Sequence, residues 1–136
     1  FITLDTNSKF NEQEQWLATI KEKYMSKCKL TFVTGHHPLY SSGSHGDAKG
    51  KTKDFLQNNV EGKFDAYFAG HDHNLSDEGV IKGTHHFVSG SAAKIRNKII
   101  PESFGDNAIC FLVLSNTDFG SLSFQSSNSL DVSALQ

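Results

Sequence analysis

Long apolar runs are absent from the sequence. Nowhere do roughly 18 apolar residues follow one another, the length a membrane-crossing helix requires, so no membrane partner is expected. The opening FITLDTNSKF lacks both the basic stretch and the extended apolar stretch of a secretory leader. A surplus of positive charge is missing too, since 13 Lys and Arg against 15 Asp and Glu give a net charge of -2 and a pI near 6.4. With those cations scattered rather than striped, an electrostatic grip on a phosphate backbone has no footing, and no nucleic acid partner is expected. Cysteine is scarce: Cys28 and Cys110 form no C-x-x-C, which argues against zinc-ribbon and dithiol redox chemistry. Both are read as buried free thiols, with a single disulfide and an oxidising compartment as the alternative. Internal repeats and low-complexity linkers are lacking, and 136 residues is the length of about one domain with a small but real core.

What is present alternates between strand-like and helix-like segments. FITLD reads as an apolar strand. NEQEQWLATIKEKYM has acids in its first turn, Lys21 and Lys23 later, and Trp16, Leu17, Ile20 and Tyr24 on one face, which predicts an amphipathic helix capped near Asn11. KLTFVT predicts a buried strand ended by Gly35, and the Gly- and Ser-rich HHPLYSSGSHGDAKG a loop suited to forming a site. KTKDFLQNNV predicts a short helix and FDAYFA a third strand ended by Gly70. This order implies β-α-β units with a parallel sheet between helices, whose ligands gather where strands' carboxyl ends meet the loops. From Gly79 onward GVIKG, HHFVSG, AICFLVLS and FGSLSFQ predict an antiparallel meander. The expected class is therefore α/β with a mixed sheet and flanking helices, one unit over residues 1–126 followed by a polar tail, 127–136, that frays.

Five of the seven histidines, His36, His37, His45, His71 and His73, fall in the two loops leaving the second and third strands. The i, i+2 spacing of His71 and His73 cannot put both on one helix face, but in an extended loop it aims both the same way. Neutral imidazole is the commonest nitrogen ligand for zinc, iron, copper and nickel. An isolated H-x-H is weak evidence, because a lone histidine is usually structural or solvated. A G-H-H-P loop at an equivalent strand end, with S-H-G placing His45 nine residues after His36, turns the set into a candidate metal site. His85 and His86 are read as packing or surface residues. The sequon Asn74-Leu75-Ser76 abuts the histidine pair and is read as unglycosylated, since a sugar would crowd whatever those side chains bind.

GHHPLYSSGSHG (Gly35 to Gly46) and GHDHNL (Gly70 to Leu75) resemble the last blocks of calcineurin-like metallophosphoesterases, most closely the purple, tartrate-resistant acid phosphatase branch. Both come in the family's order, each after a strand, with a helix-strand unit between; FITLDTNS followed by EQWL resembles the stretch that precedes them. The resemblance implies a metal-dependent phosphoric ester hydrolase with two metal ions, Fe with Fe, Zn or Mn, and attack on phosphorus by a hydroxide held on the pair. Carried over, His36 and His71 bind the second metal and His73 the other. His45 contacts substrate phosphate and protonates or orients the leaving alkoxide. His37 stands beside a ligand position to which the family gives no fixed role, and is kept as a substrate-facing pocket wall, with a surface histidine as the plainer reading. A secreted, periplasmic or lysosome-like setting is implied by resemblance alone.

The family's D-x-H, G-D and G-N-H-E/D blocks, which supply the bridging carboxylate and a tyrosinate on iron, have no counterpart here. Gly105-Asp106 is followed by NAIC, Asp5 sits at a structural strand end, and Asp72 is expected to orient a loop rather than face a metal. The chain is therefore expected to be the C-terminal half of a four-layer α/β/β/α metallophosphatase sandwich, inactive alone. Its expected partners are a phosphate ester, the missing N-terminal half of the domain, and a second copy through an uncovered sheet edge or face. The competing reading is a non-catalytic binding or assembly module that keeps a degenerate phosphatase fold.

Overall fold

The computed structural model describes residues 1–91; AICFLVLS, FGSLSFQ, Cys110, Gly105-Asp106, the 127–136 tail and the boundary at residue 126 lie outside them. In chain order the described elements are β1 (Ile2–Thr3), α1 (Phe10–Tyr24), a 3-10 turn (Met25–Lys27), β2 (Phe32–Gly35), α2 (Gly50–Asn59), β3 (Ala66–Ala69), β4 (Leu75–Ile81) and β5 (Thr84–Ser89). They form an α/β unit around one five-stranded mixed sheet in the order β1-β2-β3-β5-β4. β1, β2, β3 and β5 are parallel neighbours in turn, and β4 closes the row antiparallel to β5. The expected class holds, and of the expected meander the described residues contain one hairpin, β4 with β5. Lys82 and Gly83 both have positive φ, 48° and 91°, as a two-residue turn that follows the right-handed twist of its strands requires. The first strand of that hairpin starts at Leu75, earlier than the Gly79 read from the sequence, because a bulge between Asp77 and Gly79 breaks the alternation on which the expectation relied.

α1 also begins differently. Its first residue is Phe10, preceded by Lys9 in the left-handed region, and no side chain caps it. Gln13 organises this end instead. Its Nε2 donates to the carbonyls of Asp5 and Ser8, both at 2.8 Å, and its Oε1 accepts the Asp5 N–H at 2.8 Å. Of the four residues expected on the buried face, Leu17 is fully buried, while Trp16 and Tyr24 remain 46% and 44% exposed. The line that meets the core runs through Phe10, Leu17 and Met25, so Trp16 lies a helical step aside and Tyr24 at the helix end. Cys28, expected to be buried, is exposed, because it follows the 3-10 turn before the chain re-enters the sheet.

The two faces of the sheet differ. Val33 and Tyr67 are register partners on the face that packs with Leu17, Leu39, Phe55, Leu56 and Phe64 into the main core. The alternate positions form an aromatic row across three strands and the residue before β1: Phe1 to Phe32 at 5.0 Å between ring centroids, Phe32 to Phe68 at 6.0 Å, and Phe68 stacked on Phe87 at 5.2 Å.

Candidate functional site

Parallel strands end level with one another, and here the register puts Gly35 of β2 opposite Ala69 of β3. The chain then enters histidine within two residues on each side, at His36 and at His71. The Gly70 N–H donates to the His36 carbonyl at 3.1 Å, which ties the two exits together. His71 has a left-handed backbone, φ 65°, uncommon for a residue with a side chain. Its Nδ1 lies 3.2 Å from His36 Nε2.

His37 is held from two sides. Thr6, fully buried just past β1, accepts the His37 N–H at 2.9 Å through Oγ1, and the same oxygen lies 2.9 Å from His37 Nδ1. Behind it, the buried Tyr67 hydroxyl donates to the His37 carbonyl at 2.6 Å. Burial without a charged partner pushes the Tyr67 phenol well above its ordinary range, so it stays protonated and remains a donor. Gly35 makes this packing possible. A Cβ there would meet Tyr67 Oη at 2.5 Å and Thr6 Cγ2 at 2.7 Å.

His45 is brought in by a loop anchored on carboxylates. Asp72, fully buried, accepts from Ser41 Oγ at 2.6 Å, Ser44 Oγ at 3.3 Å and the His45 N–H at 2.9 Å. It orients the loop, as its place between the two histidines implied. Glu78 does similar work from β4, accepting from the Ser42 N–H at 2.9 Å and the Ser42 and Ser76 hydroxyls at 3.0 and 2.5 Å. The His45 ring thereby comes to 4.5 Å from the His71 ring.

The expected site residues thus converge, with one exception. Among the described residues, His36, His37 and His71 each offer a donor atom within 4.8 Å of the others. His73 falls outside that group, half-buried, with its Nδ1 buried and unpartnered. Burial, followed by the charge of His36, lowers the pKa of His37, and burial with the charges of His37, His45 and His36 lowers that of His71. Both rings are therefore neutral at pH 7, the form that ligates a metal. The donors that cluster are all imidazole nitrogens, which suits a borderline transition cation and not magnesium or calcium. A cavity of about 260 Å³ opens beside them, lined by His37, His45, Lys49, Thr52 and His71 among others. A larger groove of about 500 Å³ lies between the start of α1 and the length of α2, lined by Lys9, Glu12, Lys51 and Asp54 among others but by no histidine.

Tyr67 and Glu78 carry no sequence signal that marks them for a site. Only the hydroxyl at the exit of β1, in LDT, offers a local hint, and its meaning depends on a partner 31 residues away. The remaining histidines are packing residues, as expected. His86 is 2% exposed between Tyr40 and Tyr67, its ring nitrogens unpartnered, and burial lowers its pKa to about 4. His85 Nε2 lies 2.6 Å from Asp77 Oδ1.

No family model matches the chain. It is 35% identical over 69 residues to Purple acid phosphatase 7 of Arabidopsis thaliana, covering 51% of this chain and 21% of that protein. Purple acid phosphatase 17 of the same plant is 41% identical over 56 residues, 39% of this chain and 17% of that one. Tartrate-resistant acid phosphatase type 5 of Sus scrofa is 34% identical over 87 residues, 59% and 24% of the respective chains. The chain spans about a fifth of the length of the curated relatives it matches. This partial similarity points to the metallophosphoesterases at the level of the superfamily. The solved structure "GAP50 the anchor in the inner membrane complex of Plasmodium" overlays with a TM-score of 0.49 at 21% identity, covering 76% of this chain and 36% of that one.

Proposed function

We propose that this chain is the C-terminal part of the catalytic domain of a metal-dependent phosphoric ester hydrolase of the acid phosphatase type. The observation that carries the reading is the meeting of imidazoles from the G-H-H-P, S-H-G and G-H-D-H loops beside one cavity, joined to partial similarity with acid phosphatases. His36 and His71 hold one cation. His73, whose buried Nδ1 has no partner here, holds a second together with carboxylates supplied from outside this chain, the pair being Fe with Fe, Zn or Mn. Cations so placed polarise a phosphoryl oxygen and lower the pKa of water. The chain's own groups do the rest. Lys49 and Thr52 line the cavity and receive the anionic phosphate, and His37 walls it. His45, with its main chain fixed by Asp72, reaches the leaving-group oxygen and delivers a proton to it.

Three imidazoles without a bridging carboxylate do not sustain a working metal pair, so the isolated chain is inactive. The reading is tested by elemental analysis and p-nitrophenyl phosphate turnover on this chain and on a version extended upstream by about half a domain. Two metals and turnover in the longer version alone is the expected result. Absence of both from each version would leave the non-catalytic binding or assembly module in its place.

A further inference from the structure

We propose that this chain by itself forms a single-cation site in which His37 is the third imidazole donor beside His36 and His71, with Thr6 setting the tautomer that makes it a ligand. The inference rests on the hydrolase reading only in taking His36 and His71 as donors. That reading gives His37 no share in a metal.

Bond lengths of 2.0–2.1 Å at a tetrahedral zinc place two nitrogen ligands about 3.3 Å apart. His71 Nδ1 and His36 Nε2 stand 3.2 Å apart, the edge of such a site. His37 is the remaining residue whose donor atom shares their neighbourhood, and its ring centroid is 4.6 Å from that of His71.

Thr6 decides which His37 nitrogen is free. Its hydroxyl oxygen has two lone pairs. One accepts the His37 main-chain N–H, and the same oxygen stands 2.9 Å from Nδ1. With the Nδ1 proton donated to that oxygen, the Nε2 lone pair is left for a cation, the arrangement by which a neighbouring acceptor orients a metal-binding histidine. Thr6 is itself fixed, since it is fully buried and its carbonyl accepts from Thr52 Oγ1 at 3.3 Å. Three neutral imidazoles from two strand-exit loops are a donor set for Zn²⁺ or Co²⁺, with the fourth position open toward the cavity for water or an anion.

The test uses the 136-residue chain and the metals alone. Titration with Zn²⁺ by calorimetry, and with Co²⁺ by its visible absorption, is expected to give one equivalent with the intense bands of a tetrahedral ion. His37→Gln should weaken binding at least about tenfold and Thr6→Val by about 10–100-fold, with Thr6→Ser restoring it; His85→Gln, outside the cluster, should leave it unchanged. Because Thr6→Val could unfold, nitrogen NMR of the wild-type chain provides a measurement free of variants. Zn²⁺ should shift His37 Nε2 while Nδ1 keeps its proton. An unshifted His37, unchanged affinity in His37→Gln, or a loss in His85→Gln as large as in His36→Ala would overturn the proposal. Turnover is not the readout, so the two readings fail separately. An extended protein without phosphatase activity but with the His37 signature overturns the hydrolase alone, and an active one with His37 uninvolved overturns this site alone.

Discussion

Gly35 is the residue on which the cluster packs most tightly. Its hydrogen faces Tyr67 Oη and Thr6 Cγ2, where a Cβ would sit at 2.5 and 2.7 Å. Neither neighbour can yield, since both are buried and both are bonded to His37. Gly35→Ala is therefore expected to cost about 1–3 kcal/mol of overpacking, read by thermal unfolding, with Zn²⁺ binding lost in the same variant. A variant as stable as the parent would show that the packing is looser than these distances imply. His71 presents the opposite balance. Its left-handed φ of 65° costs roughly 1–2 kcal/mol with a side chain, and glycine would relieve it while adding about 0.5–1 kcal/mol of backbone entropy to be lost on folding. His71→Gly should consequently leave stability unchanged or raise it by up to about 1.5 kcal/mol and abolish metal binding, the exchange of stability for function expected of strain at a site. Denaturant unfolding beside a metal titration checks both halves, and a clear fall in stability would refute the strain argument. The H-x-H of His71 and His73 and the G-H-H-P of His36 and His37 were legible because each is local. Thr6 was not, because its partnership with His37 exists only once β1 pairs with β2 in the register of Ile2 with Val33.

At the scale of elements, the 36–50 loop is held by carboxylates rather than by apolar packing alone. Asp72 accepts three bonds while fully buried. Asp72→Asn keeps the shape but turns an amide donor toward hydroxyls and an N–H, and is expected to cost about 2–3 kcal/mol. In the extended protein it should lower kcat for p-nitrophenyl phosphate more than metal content, since His45 and not a metal donor loses its anchor; equal losses would say that the loop positions the metal instead. β5 supplies a pH dependence. His86 stays neutral in the fold down to about pH 4 because it is buried, whereas the unfolded chain takes up that proton near pH 6.5. The unfolded state binds more protons between those values. This contribution is thus complete above about pH 6.5 and is lost as pH falls toward 4, by at most about 3 kcal/mol. Melting curves of wild type minus His86→Leu across pH 4–7 should contain that slope, and parallel curves would remove His86 as its source. The sequence located every described strand and both α-helices, though not the 3-10 turn, because its apolar runs and glycine stops are strong. It misplaced the phase of α1 and the start of β4, where Gln13 replaces a local cap and a bulge interrupts the alternation.

For the molecule as a whole, the question is which surface the proposed remainder of the domain would cover. The edges of the sheet are poor candidates among the described residues. β1 is two residues long, and β4 is bulged and carries Asp77 and Glu78, features that blunt strand addition. The aromatic row is the better one. Phe1 is 83% exposed, and Phe32 and Phe68 are half-buried beside it, although the strands that carry them pack their other face into the core. If the proposed remainder of the domain covers this row, the burial of Phe32 must differ between the two lengths of chain. Truncating a fully buried phenylalanine costs about 3–5 kcal/mol, because the neighbours close only partly over the cavity that the ring leaves, whereas a half-exposed one leaves space that water refills. Phe32→Ala is accordingly expected to destabilise the upstream-extended protein by at least about 2 kcal/mol more than it destabilises this chain, with metal content as the check that the site is otherwise assembled. Equal losses in the two would mean that the row is not the joint of the proposed domain, and that the carboxylates proposed for its second cation would reach the histidines by another face.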